Sequence, residues 1–264
     1  PLLPALATGT SFHLLALSQN QVRLLHGTAT RLTELALADI PPSLAHAVRY
    51  DDRDQQLHSH GADRVGRGRV TASFHGHGGT TDTSKDDLRR FLRAVDDGVV
   101  DLTGQAGSPL VLAGVDYVVA AYRNLTNHAG IVDTAIEGNP QQLSTGELQA
   151  LAWPIVQAVL DKDRQAAAET FLAGVEPIAS TAKEVLPAAV AGRVHTLFVP
   201  ADAHLWGTFD RIEHQAVEHG QHEMGDEDLS DLAAVETLTR GGTVYAVSGE
   251  EIPGTGPLAA ILRY

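Results

Sequence analysis

Apolar positions along the chain alternate between two rhythms, one of strands and one of helices. Phe12 to Leu17 is a short apolar run, and Val22 to Leu25 is another. Polar residues 18–21 lie between them, so the pair reads as a β-hairpin. Arg31 to Asp39 extends the meander. Pro41 to Gly68 is polar and reads as a long loop with a strand near Ala47–Tyr50. Arg69 to Phe74 reads as a further strand. Leu88, Phe91, Leu92 and Val95 then fall at i, i+3, i+4 and i+7, one apolar stripe of a helix. Ser84-x-x-Asp87 reads as its capping box and Gly98 as its stop. Pro109 to Ala113 predicts a buried strand, Val115 to Asn124 a helix, and Gly130 to Ile136 a strand or strand-turn.

The second half repeats the alternation. Ser144-Thr145-Gly146-Glu147 is a capping box that opens a helix ending near Gly174. Pro154 inside it predicts a kink or a break into two helices. Thr181-x-x-Glu184 opens a helix that stops at Gly192, and Val194 to Val199 is a strand. Arg211 to Asp228 is a polar excursion, Leu229 to Leu238 a helix, Thr243 to Val247 a strand, and Leu258 to Tyr264 the closing strand. Strands interleaved with helices make an α/β fold. The boundary near Asn139-Pro140 gives two consecutive domains, 1–143 with a mixed sheet and 144–264 as an α/β/α sandwich.

Composition narrows the chemistry. The 264 residues are 43% hydrophobic, enough for a sizeable core. The formal charge of −14 argues against a large phosphate-binding surface while allowing a local basic patch. The lack of cysteine excludes disulfides, thiolate metal sites and a Cys nucleophile. No apolar run is long enough to suggest a membrane span, and Pro1-Leu2-Leu3-Pro4 lacks a basic signal-peptide start. A first residue other than Met points to a processed, cut or partly ordered chain, with an upstream domain missing.

Several motifs fail on context. Gly254-Thr255-Gly256-Pro257-Leu258-Ala259 fits a loose dinucleotide fingerprint, but a strand rather than a helix follows. His58, His60, His75, His77 and His219-x-x-His222 lack the spacing of a zinc site, so no metal and no cofactor are expected. No Gly-x-Ser-x-Gly elbow supports a serine hydrolase. Asp226-Glu227-Asp228 lacks the glycine and closing glutamate of an EF-hand and reads as a solvated acidic loop.

The informative feature is His75-Gly76-His77-Gly78-Gly79-Thr80, just ahead of the helix. Arg64, Arg67 and Arg69 precede it, and Lys85, Arg89, Arg90 and Arg93 follow. Seven of the 19 basic residues thus flank one glycine loop at a helix start, where backbone amides attract anions.

The order strand, basic loop, Gly-Gly, helix resembles the central domain of archaeo-eukaryotic release factors. There a Gly-Gly-Gln loop reaches the peptidyl-transferase centre. Val185 through Val199 and the closing Ala260-Ile261-Leu262-Arg263-Tyr264 resemble the last domain of those factors and of Pelota, a fold similar to ribosomal proteins that bind kinked RNA. The overall pattern is similar to the bacterial branch of this superfamily. Two features depart from it: no codon-reading domain is visible, and Thr80 stands where the family has glutamine. The resemblance implies a cytoplasmic, ribosome- or tRNA-associated translation factor in rescue, hibernation or quality control. A translational GTPase is an implied partner of the C-terminal domain. Ester hydrolysis needs a held water and a stabilised oxyanion. Thr80 is too short to replace glutamine there, so binding without chemistry is the leading expectation. A peptidyl-tRNA or nucleic-acid ester hydrolase and a protein-interaction adaptor are the alternatives.

Overall fold

The computed structural model describes residues 11–49, 80–104 and 108–264, with backbone alone for 80–83. They divide into two compact units, Ser11–Val156 and Gln157–Tyr264.

The first unit is built on strands β1 (Phe12–Leu17), β2 (Val22–Gly27), β3 (Leu32–Glu34), β4 (Leu110–Gly114) and β5 (Ile136–Glu137), in the order β3-β2-β1-β4-β5. β1 pairs antiparallel with β2 and parallel with β4, so the sheet is mixed. The predicted hairpin forms in register, Leu17 opposite Val22. Its loop is closed by Ser18, whose hydroxyl donates to the Gln21 carbonyl at 3.0 Å and accepts from the Gln21 amide at 2.9 Å. All six residues of β1 are buried, because both faces of this central strand are covered. Leu15, Leu17, Leu24, Leu110 and Leu112 pack on one side against α2 (Thr80–Thr103) and α3 (Asp116–Arg123). By strand alternation Phe12 faces the other side, where Trp153 of α4 (Thr145–Ala173) meets it at 6.3 Å between ring centroids.

The stripe on α2 behaves as its spacing requires. Phe91, Leu92, Val95 and Val99 are buried in that core, and each contributes about 1.5–3 kcal/mol of transfer free energy. The helix nevertheless starts at Thr80, before Ser84, so Ser84-x-x-Asp87 is not a capping box. Nor does it stop at Gly98. A Cβ there would lie 2.4 Å from Ile40 Cγ1, so this glycine serves close packing, and the helix ends at Gly104 with φ +70°.

Residues 44–49, expected to be extended near Ala47–Tyr50, are instead helical (α1). Ser43 accounts for this, because its hydroxyl accepts from the His46 amide at 3.3 Å and its carbonyl from the Ala47 amide at 3.1 Å. Gly130 to Ile136 yields only a bridge from Ile131 to Leu110 and the two residues of β5. The expected strand Arg69–Phe74 and the rest of the loop from residue 50 lie outside the described residues.

Ser144 and Glu147 form the capping box of α4: the Glu147 carboxylate accepts from the Ser144 amide at 2.8 Å and from its hydroxyl at 2.7 Å. Pro154 does not split this helix, which runs unbroken to Ala173. Leu148, Ala152 and Val156, on both sides of the proline, are fully buried and hold it through the missing N–H. Gly174, at φ +61°, terminates it.

The second unit contains β6 (Ile178–Ala179), α5 (Ala182–Val190), β7 (Val194–Pro200), β8 (Trp206–Asp210), β9 (Gln215–Glu218), β10 (Glu227–Asp228), α6 (Leu229–Thr239), β11 (Thr243–Val247) and β12 (Ala259–Leu262). Its main sheet has the order β11-β7-β12-β6. Leu197, Val199 and Ala260 face α5 and α6, against Val185, Leu186 and Ala233. The intervening Phe198, Ala259 and Ile261 face the other way, against Phe171 of α4. Helices on both faces make the expected α/β/α sandwich.

The polar excursion is the main departure. Residues 206–228 build a second sheet, β10-β8-β9. Phe209 and Ala216 tie it to the α5–α6 core. Asp210 Oδ1 accepts from the amides of Ile212 and Glu213 at 2.8 and 3.0 Å and shapes the hairpin.

Candidate nucleic-acid interface

The glycine loop residues His75, Gly76, His77, Gly78 and Gly79, and the flanking Arg64, Arg67 and Arg69, lie outside the described residues. Thr80 is the first residue of α2. The other half of the basic flank lies on α2. Lys85, Arg89, Arg90 and Arg93 are all exposed on α2. Lys85, Arg89 and Arg93 recur at i, i+4 and i+8, so they form one row along the helix. The apolar stripe is anchored in the sheet, which turns that row outward.

Arg90 stands apart from the row. It pairs with Asp87 at 2.5 Å. Together with Arg93 it borders a groove of about 810 Å³ between α2 and residues 38–48, whose walls include Ile40, His46, Phe91 and Asp97. The groove therefore mixes both signs of charge with an apolar floor.

The charge order along α2 does not serve helix stability. Its basic residues lie between Lys85 and Arg93, and its last turn has none. Asp101 near the C-terminus opposes the macrodipole, and the cations begin beyond the first turn, where that field has fallen off. Asp86 and Asp87 offset part of the charge of Lys85, Arg89, Arg90 and Arg93.

Behind this surface the far end of α2 is latched by buried polar groups. The Tyr122 hydroxyl donates to Asp96 at 2.8 Å, and Thr126 donates to the same oxygen at 2.6 Å. Burial, then the Asp96 carboxylate, pushes the Tyr122 hydroxyl above the usual phenol range. His128 Nδ1 accepts from the Gly130 amide at 3.1 Å, so its Nε2 carries the proton toward Thr103 Oγ1, 3.1 Å away. Thr103 passes the chain on to the Val99 carbonyl at 2.7 Å. Burial lowers the pKa of His128, and burial with His26 and His128 nearby lowers that of His13.

Among the described residues no group of three or more His, Asp or Glu is arranged to hold a metal ion. His219 is held by Asp226 at 2.8 Å, and His222 lies edge-on to Trp206. Asp226-Glu227-Asp228 is not a solvated loop: Asp226 supports His219, and Asp228 caps α6 through the Ser230 amide at 3.0 Å. Gly254 and Gly256 precede strand β12 rather than a helix, and a Cβ on Gly256 would sit 2.3 Å from the Ser180 carbonyl. These glycines serve packing. Sequence reasoning missed the three-stranded sheet and its ring cluster of His204, Trp206 and His222. The alternation of buried and exposed residues over Trp206–Asp210 was the available signal. No helix of the described residues is long and apolar enough to cross a membrane.

Comparison with known proteins adds the following. Archaeal Pelota, from a ribosome-bound assembly with ABCE1, is similar at 12% identity and a TM-score of 0.45, over 96% of this chain and 61% of that one. Dom34 of S. cerevisiae, a translation termination-like factor, is similar at 11% identity and a TM-score of 0.46, over 96% and 63%. The archaeal termination factor aRF1 is similar at 14% identity and a TM-score of 0.26, over 96% and 62%. The chain thus spans less than two thirds of the length of these structures. Among curated proteins none matches. Residues 11–193, well over half of the chain, match a defined family. The chain belongs to the bacterial archaeo-eukaryotic release factor family 3.

Proposed function

We propose that this protein is a ribosome- or tRNA-associated translation factor of rescue, hibernation or quality control, which binds RNA without cleaving peptidyl-tRNA. Family membership supports a place in translation, as do the names of the similar proteins, a ribosome-bound Pelota and a termination-like factor. The observation that carries the reading is the outward row Lys85, Arg89 and Arg93 on α2, the helix that follows the glycine loop directly in sequence. Phosphates gather at such a row and release counterions on binding. Part of the same reading is that 1–143 acts as the RNA-facing domain and 144–264 as the partner-binding domain, in the cytoplasm.

Thr80 follows Gly78-Gly79 where glutamine would be needed to place a water, which favours binding over hydrolysis. The test is co-sedimentation with ribosomes, combined with RNA affinity measured against salt. Each phosphate contact to single-stranded RNA contributes about −0.7 to the slope of log K against log salt. Reversing Lys85, Arg89 and Arg93 to Glu should flatten that slope by about 2 if each neutralises one phosphate. Absence from ribosomal fractions at both low and moderate salt overturns the proposal. Cleavage of peptidyl-tRNA by the wild-type chain turns it toward the hydrolase.

A further inference from the structure

The sheet β10-β8-β9 has one covered face and one open face. Gly207, Phe209 and Ala216 are buried inward, while Thr208, Asp210, Gln215 and Val217 are exposed on the opposite side. Thr208 lies across from Val217, which remains 49% exposed. Trp206 begins the same strand as the centre of a ring cluster. The His204 ring stacks on it at 5.0 Å, and the His222 ring meets it edge-on at 4.6 Å. The cluster is pre-set from below. Asp228, 9% exposed, holds His204 Nδ1 at 2.6 Å, and Asp226, 1% exposed, holds the neighbouring His219 Nδ1 at 2.8 Å. The nearly buried Asp228 thus fixes one ring of a partly exposed aromatic platform, which lowers the ordering cost of binding to it.

The segment that carries the platform is strongly acidic. Residues 206–228 carry seven carboxylates and one arginine, a net of −6. Arg211 is itself paired with Glu236 at 2.7 Å. Asp210 is held below the usual carboxylate range by the Glu213 and Ile212 amides and stays charged. Ile212 and Met224, 86% and 103% exposed, add apolar contact area. Aromatic rings on an acidic sheet attract a planar, weakly hydrated cation and repel a phosphate backbone.

We propose that the open face of this sheet docks an arginine-bearing protein segment, with one guanidinium on the Trp206 cluster and others along the hairpin toward Asp210 and Glu213. RNA is the occupant that the charge disfavours. This reading does not depend on the role assigned to α2.

The test uses the full chain and three fluorescein-labelled probes read by anisotropy: a 12-residue peptide alternating Arg and Gly, the same peptide with Glu for Arg, and a 12-nucleotide single-stranded RNA. The expected result is binding of the Arg peptide and none of the Glu peptide. Trp206→Ala weakens the Arg peptide at least tenfold. Val217→Arg, on the exposed surface, does the same without touching the rings. Neutralising Asp210 and Glu213 weakens binding more than neutralising Glu169 and Glu176, which lie outside this sheet. The proposal is overturned if Val217→Arg and Trp206→Ala both bind the Arg peptide as the wild type does, if both carboxylate pairs matter equally, or if these variants lose RNA rather than peptide.

Discussion

Replacing Gly98 by Ala sets two effects against each other, and the structure decides between them. An Ala in a helix interior is favoured over Gly by about 1 kcal/mol, so propensity alone predicts a gain. The new Cβ, however, would lie 2.4 Å from Ile40 Cγ1. Carbon atoms pack at about 3.5–4.0 Å, so more than an ångström must be found. Ile40 has little room to retreat. It is 2% exposed within the α2 core, and its amide is bonded to the Leu37 carbonyl at 2.7 Å. Overpacking of this kind costs about 1–3 kcal/mol. The expected net effect is a loss of about 1 kcal/mol, within a range from neutral to about 2. Truncating Ile40 to Ala removes Cγ1, and in that background Gly98→Ala should become stabilising by about 1 kcal/mol. The sign change is the informative quantity. Urea unfolding of a Trp206→Phe background reads it, because Trp153 is then the remaining one of the chain's two tryptophans and belongs to Ser11–Val156. If Gly98→Ala stabilises equally with and without the Ile40 side chain, the packing role of this glycine is refuted.

His13 and His128 have pKa values below their ordinary 6.5, so the unfolded chain binds protons that the native state refuses. Stability of Ser11–Val156 is therefore full above pH 6.5 and falls as the pH drops toward the native values. Urea midpoints between pH 7 and 5.5 should decline, and His13→Phe with His128→Gln should flatten the decline. Ser144→Ala removes the cap of α4 and should cost about 1 kcal/mol, while the Glu147 carboxyl, now held low by the Ser144 hydroxyl and amide, should move up toward its usual range in a carbon-detected NMR titration. Gly207→Ala places a Cβ 2.0 Å from the Val217 carbonyl, so β8 and β9 should separate. A shifted Trp206 emission with an intact Trp153 signal would report it, and unchanged emission would argue against that close approach.

The local rules of the chain settled what depends on neighbours in sequence. The hairpin at Ser18–Gln21, the stripe on α2, the Ser144–Glu147 and Thr181–Glu184 boxes and the stops at Gly174 and Gly192 all follow from side chains a few residues apart. The cationic row Lys85, Arg89 and Arg93 was legible for the same reason, since helical spacing fixes which residues share a face. What depended on distant partners was not legible. Gly98 reads locally as a helix stop, but Ile40, from a remote segment, gives it a packing role instead. Ser43 turned residues 44–49 helical through two hydrogen bonds, while Leu44 and Ala47 found apolar cover on the α2 core. Pro154 stayed helical because buried contacts on both sides outweigh one missing hydrogen bond. The sheet of residues 206–228 was hidden because polar strands have only a short alternation to mark them, and Phe209 and Ala216 acquire an inside only when α5 and α6 supply one. Sequence determined the elements whose signals are local and the charge they carry. Tertiary structure decided which glycine packs, which acid is buried and which aromatic stands on an open face, because burial is a property of the partner surface and not of the residue.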